Sequence, residues 1–142
     1  MKKMIRTSLA FTAAVVMAQV MLTTVNAQPR VLRVNVPFAF VVSETELPAG
    51  AYYVAYEPSS RKLVLTENEG PHMAFLMPMS TAYDSPRAAS SKLVFHKYGG
   101  EYFLREVARS VGSVTWTFGP AKAEQTRLKN VGFEVAELRE QR

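Results

Sequence analysis

From residue 32 to residue 42 every even position is apolar: Leu32, Val34, Val36, Phe38, Phe40 and Val42. The odd positions include Arg33, Asn35 and Pro37. Successive side chains of an extended backbone point to opposite faces. Eleven residues in one phase therefore require a half-buried strand, or two strands that share the phase across Pro37. A helix would spread the same residues around its circumference. Pro37 has no amide donor, which places it at an edge or a bulge.

The same period continues along the chain. Residues 51–57 set Tyr52, Val54 and Tyr56 against Ala51, Tyr53 and Ala55, and residues 62–67 present Leu63 and Leu65 on one side. Residues 72–79 are more uniformly apolar, with Met73, Phe75, Met77 and Met79 in one phase. Turn chemistry separates these runs: a polar stretch 43–50 ending in Leu47-Pro48-Ala49-Gly50, then Glu57-Pro58-Ser59-Ser60, then Asn68-Glu69-Gly70-Pro71. Residues 80–91, rich in Ser and Ala, read as an exposed loop. Gly99-Gly100 predicts a hairpin over 92–107, in which Phe95 faces Leu104, His96 faces Phe103 and Lys97 faces Tyr102. Residues 113–118 give another strand carrying Val114, Trp116 and Phe118 on one face.

Only 120–130 reads as helical, with Pro120 suited to the first turn and good helix formers after it. Its apolar face (Ala121, Ala123, Leu128) is thin, which predicts a helix that caps one end of the fold and leaves the core to the strands. Phe133, Val135 and Leu138 fit a last strand, although a helix from Glu134 fits as well. The expected fold is all-β: one antiparallel barrel or sandwich of seven to nine short strands with one short C-terminal helix.

The first 27 residues have a different character. Lys2, Lys3 and Arg6 precede a mostly apolar run at 9–22, and Val25-Asn26-Ala27 offers a small-residue cleavage site. The run is short of the roughly 18–20 residues of a spanning helix, and Thr12 and Gln19 interrupt it. The expectation is a signal peptide at 1–27, a single β domain at 28–142 without a membrane span, and a periplasmic or secreted address. The leader also carries three of the 17 basic residues and none of the 12 acidic ones. Residues 28–142 keep a net charge of only +2, too mild to suggest nucleic acid or an anionic membrane as partner. The chain contains no cysteine. Disulfides, thiol catalysis, zinc–thiolate sites and lipidation at a cysteine are thereby excluded.

Several segments occur together in a particular order. They are Val34-Asn35-Val36-Pro37-Phe38-Ala39-Phe40, Leu47-Pro48-Ala49-Gly50-Ala51-Tyr52, Lys92-Leu93-Val94-Phe95-His96-Lys97-Tyr98-Gly99 with Tyr102-Phe103-Leu104, and Ala121-Lys122-Ala123-Glu124. In this the chain resembles a group of small exported bacterial β proteins whose function is uncharacterised. The resemblance spans most of residues 28–142 and implies the β fold and the exported address. Its motifs are structural, so it implies no ligand and no catalytic residue.

Chemistry-bearing constellations are few. No Gly-x-Ser-x-Gly elbow is present, and Asp84 is the only aspartate. A hydrolase would have to be built around His72 or His96 with a carboxylate and a hydroxyl in reach. Glu44 with Glu46, and Glu67 with Glu69, fall in loops and turns where carboxylates are ordinarily solvated. His72, Met77 and Met79 form a weak soft-metal pattern, since thioether and imidazole select Cu(I). Met73 and Met77 lie about 13 Å apart on an extended strand, too far to share an ion, and methionine more commonly fills a core. The aromatic residues Phe38, Phe40, Tyr52, Tyr56 and Trp116 are candidate ligand-binding residues for a barrel with space inside. In a filled sandwich the places to look for a partner surface are Tyr53, Val41 and the loop 43–50.

These readings converge on an exported, non-enzymatic domain without a cofactor. It would bind an envelope protein or glycan, or carry a small apolar ligand in a barrel interior, with a histidine-centred hydrolase as the rival of a different class.

Overall fold

The computed structural model describes residues 30–141, and the leader at 1–27 lies outside them. The long alternating run resolves into two strands, β1 (Arg30–Val36) and β2 (Phe40–Val42), in different sheets. The phase survives the crossing because both sheets turn their even residues into one shared core. Leu32, Val34, Val36, Phe40 and Val42 are all buried there. Pro37 sits exposed at the crossing, where no ladder needs its missing amide.

After the hairpin partner β3 (Thr45–Leu47) come β4 (Gly50–Glu57), β5 (Lys62–Glu67) and β6 (Met73–Leu76). Strands β1-β4-β5-β6 form an antiparallel sheet. The chain then crosses to β7 (Ser80–Ala82), passes a 3-10 turn at Pro86–Ala89, and enters β8 (Lys92–Tyr98), β9 (Glu101–Arg109) and β10 (Val114–Thr117). Helix α1 (Lys122–Leu128) leads to β11 (Glu134–Arg139). The second sheet is ordered β11-β8-β9-β10-β7, so the fourth strand of the set β8 to β11 returns beside the first in Greek-key fashion. Nine-residue β9 serves two neighbours along one edge. Its C-terminal half pairs with β10, and Phe103 pairs with Val41 of β2 in parallel.

Two sheets packed face to face make a sandwich-like fold, not the closed barrel that was the other expectation. The eleven strands found among the described residues exceed the expected seven to nine, because β2, β3 and β7 are three-residue strands that alternation cannot announce. Strand β7 and the 3-10 turn also occupy the stretch 80–91 expected to be irregular. The ends of the two sheets approach at β11 and β1, where Gln141 N donates to Arg33 O at 3.0 Å. No helix of the described residues is long and apolar enough to cross a membrane.

The hairpin β8–β9 has the expected register, with Phe95 opposite Leu104, His96 opposite Phe103 and Lys97 opposite Tyr102. Gly99 holds φ +61 in its turn, a conformation that side-chain-bearing residues rarely adopt. A register shift sets Leu93 opposite Val107 and Phe95 opposite Leu104, so Arg105 is an extra residue in β9 and lets both Leu104 and Val107, of opposite parity, reach the core.

Candidate functional site

The aromatic residues proposed as a pocket lining bind one another. Phe40 packs edge-on against Tyr52 (5.3 Å between centroids) and Phe95 (5.4 Å), and Phe38 stacks on Tyr102 at 3.7 Å. Tyr56 stacks on Trp116 at 5.3 Å. Phe40, Tyr52 and Trp116 are buried, whereas Phe38 and Tyr56 close the margins of the same core. The Tyr52 hydroxyl donates to Pro48 O at 2.7 Å and so ties down the Pro48-Ala49 turn. Burial, with a smaller contribution from Glu67, raises its pKa to about 12.

Helix α1 is fastened in an unexpected way. It does not cap an end of the sandwich but lies on the outer face of the second sheet. Ala121 there meets Tyr98, Phe103 and half-buried Val41. The buried residue within α1 is a charge, Glu124, with no exposed surface at all. Its Oε1 accepts from the Tyr98 hydroxyl at 3.1 Å and from Arg105 Nη1 at 3.0 Å, while Arg105 Nε donates to Phe118 O at 3.0 Å. Burial, reinforced by the Glu124 charge, pushes the Tyr98 hydroxyl up to about 12. Glu44 reaches across from the β2–β3 turn to accept from the first amide of the helix, Lys122 N, at 3.1 Å.

Both histidines stand beside carboxylates. His96 Nδ1 lies 3.4 Å from Glu124 Oε1 without hydrogen-bond alignment, and Glu124 Oε2 is likewise buried without a partner among the described residues. Phe133 stacks over the imidazole at 4.0 Å. Burial, then the neighbouring Arg105 charge, lowers the His96 pKa and outweighs the opposing pull of Glu124 and Glu106. The ring is therefore neutral near pH 7. His72 Nδ1 is 2.6 Å from Glu67 Oε2, and since a carboxylate only accepts, that nitrogen carries the proton. This pair closes the β5–β6 turn, where Glu67 N also donates to His72 O. The serine hydroxyls with side-chain partners are engaged elsewhere, Ser60 with Glu57 and Ser91 with Ser110. Glu124 thus fastens the helix through Tyr98 and Arg105, with His96 packed beside it, whereas the His72–Glu67 pair closes a turn.

The exposed surface holds what sequence reasoning misplaced. Met73, Phe75, Met77 and Met79 are 51%, 52%, 74% and 69% exposed, and the buried residues of β6 are Ala74 and Leu76. The methionines do not fill the core. Register explains the inversion. Leu63 and Leu65 face the core, and the turn at 68–72 pairs them with Leu76 and Ala74, which must share their face. Met73 and Phe75 then go outward, opposite Thr66 and Val64. The register of the turn was the available signal; side-chain size pointed the other way. The extended stretch also shortens, since β6 stops at Leu76 and Met77-Pro78-Met79 bridges to the second sheet. Among the described residues no group of three or more His, Cys, Asp or Glu side chains is placed to hold a metal ion.

Three thioethers and a phenyl ring are thus exposed, Met73 and Phe75 on the outer face of edge strand β6 and Met77 and Met79 on the crossing that follows it, an exposed apolar ridge along the chain. Lys62 Nζ lies 4.6 Å over the Phe75 ring and 3.2 Å from Glu57, and the His72–Glu67 pair bounds the ridge at its start. Comparison with family models, curated proteins and solved structures found no match. What the ridge does must be argued from its own chemistry. Of the surface expected for a partner, Val41 is half-covered beside Ala121 of the helix-start cluster, Leu47 of the 43–50 stretch is buried, and Tyr53 lies on the outer face of the first sheet beneath the Arg33 guanidinium (5.7 Å).

Proposed function

We infer that the chain is an exported, non-enzymatic binding domain that docks a protein partner through the ridge Met73-Phe75-Met77-Met79. One observation carries the reading: four large apolar side chains within seven residues are each more than half exposed, while the same strand buries an alanine and a leucine. Apolar exposure clustered in this way along the chain favours an interaction surface, and flexible, polarisable methionine suits a surface that adapts to the partner it meets. The chemistry favours a protein over the other occupants. Lys62, the ammonium seated on the ridge, is already paired with Glu57, which leaves little to attract an anionic membrane. Thioethers offer neither the hydrogen bonds nor the flat stacking face by which a sugar is held, and the Lys62 ammonium already lies over the Phe75 ring. Export follows from the leader at 1–27, so the partner belongs to the envelope or the exterior.

The test is site-specific photocrosslinking in the native host, with the probe at position 75 or 77 and a control probe at Val111, an apolar residue as exposed as Met77. The expected result is one heterologous protein adduct from 75 and 77 that is absent from 111 and lost in a Met73→Ser/Met79→Ser background. Equal labelling from Val111, no adduct, or only an adduct with a second copy of this chain would overturn the reading.

A further inference from the structure

We propose that Met73, Met77 and Met79 form an oxidation site, at which a hydroperoxide or hypohalous acid converts the ridge from an apolar surface into a polar one. The oxidation itself stands on geometry alone; its effect on docking rests on the function inferred above.

The distribution of methionine is the starting point. Seven are present in the sequence, four of them (Met1, Met4, Met17, Met21) in the leader, and the other three all fall within residues 73–79. Methionine is ordinarily a core filler, yet all three are 51–74% exposed and none belongs to either buried cluster. There is no cysteine to intercept an oxidant first. The only easily oxidised sulfur of residues 28–142 is therefore concentrated on one accessible ridge.

The step is an oxygen-atom transfer. A lone pair of the thioether sulfur attacks the terminal oxygen of the oxidant, an S–O bond forms, and the O–O or O–Cl bond breaks. Sulfur is oxidised by two electrons to the sulfoxide. Hydrogen peroxide is reduced to water, the proton of its reacting oxygen passing to the departing hydroxide; hypochlorous acid is reduced to chloride and releases its proton to solvent. Each sulfoxide is a strong hydrogen-bond acceptor where an apolar group stood. A partner that covers the ridge would then bury an unsatisfied oxygen at each position. Because these side chains do not support the core, the fold is untouched while the surface changes character. Sulfoxide formation is reversible by reductases, so the change has the properties of a switch.

The exported protein is treated with limiting hydrogen peroxide, or hypochlorous acid, folded and in denaturant, and mapped by peptide mass spectrometry. The expected result is three added oxygens at residues 73, 77 and 79, gained at the same rate in both states, with no change in the urea unfolding midpoint. Oxidation an order of magnitude slower in the folded protein, or a lowered midpoint, would overturn the site. The crosslinking measurement, with the probe at position 75, is then repeated on oxidised protein of otherwise natural sequence and on the Met73→Leu/Met77→Leu/Met79→Leu variant, which keeps the apolar surface but cannot accept oxygen. Loss of the adduct in oxidised wild type, with retention in the treated variant, supports the switch. An undiminished adduct overturns it. Failure of untreated protein to crosslink would sink the docking function and with it the switch, and the oxygen map would still decide the site.

Discussion

At the residue scale, His96 makes stability depend on pH. Phe133 covers the ring, while Arg105, Glu106, Glu124 and Tyr98 surround it from β8, β9 and α1. The unfolded chain takes up a proton at this residue near 6.5, whereas the folded chain, with its lowered value, stays neutral to lower pH. Between those two values the unfolded state binds more protons, so stability falls as pH drops below about 6.5 and levels off once the folded form also protonates. Urea unfolding at about pH 7.5 and about pH 5.5 should show the lower midpoint in acid. The gap should narrow in His96→Gln, which keeps a polar side chain of similar reach but does not titrate. An unchanged gap would mean that His96 does not set the dependence.

At the element scale, α1 illustrates what a sequence shows and what it hides. Its thin apolar stripe was legible, and so was the consequence that it leaves the core to the strands, but not its seat on the outer face of the second sheet. Its anchor was not legible, because Glu124 looks like any solvent-facing helix former until β8 and β9 bring Tyr98 and Arg105 beneath it. Glu44, 78 residues before the amide it accepts from, is equally invisible to local reasoning. Removing one member of a buried pair strands the other, so Glu124→Ala should cost about 3–5 kcal/mol in denaturant unfolding and accelerate amide exchange across α1. The double change Glu124→Leu/Arg105→Met, which removes both charges and fills the space, should recover most of that loss. The strands were legible wherever one face alternated for five residues or more. Strand β6 was legible as a strand but its inward face was not, since its apolar odd phase outweighed Ala74 and Leu76 in size, and only pairing with β5 decides which phase is inward.

At the scale of the whole molecule, one core joins both sheets, and it must bear the stability without cross-links. Phe40 touches Tyr52 of one sheet and Phe95 of the other. Phe40→Ala should therefore cost about 3–5 kcal/mol, while Arg33→Ala on the outer face should cost less than about 1. Equal losses in chemical denaturation would mean that the two sheets do not share the packing described. The hydrogen bond from Gln141 to Arg33 has a different kind of consequence. It sets Gln141, just past β11, beside Arg33 of β1, so the two limits of the described residues meet near one contact. Joining Gln141 to Arg30 with a short flexible linker and reopening the chain at the exposed Val111-Gly112 turn should yield a circular permutant of residues 30–141 with the same circular dichroism and cooperative unfolding. Labels placed at Arg33 and Gln141 would sit side by side, a practical gain for any assay that reports on the distance between them.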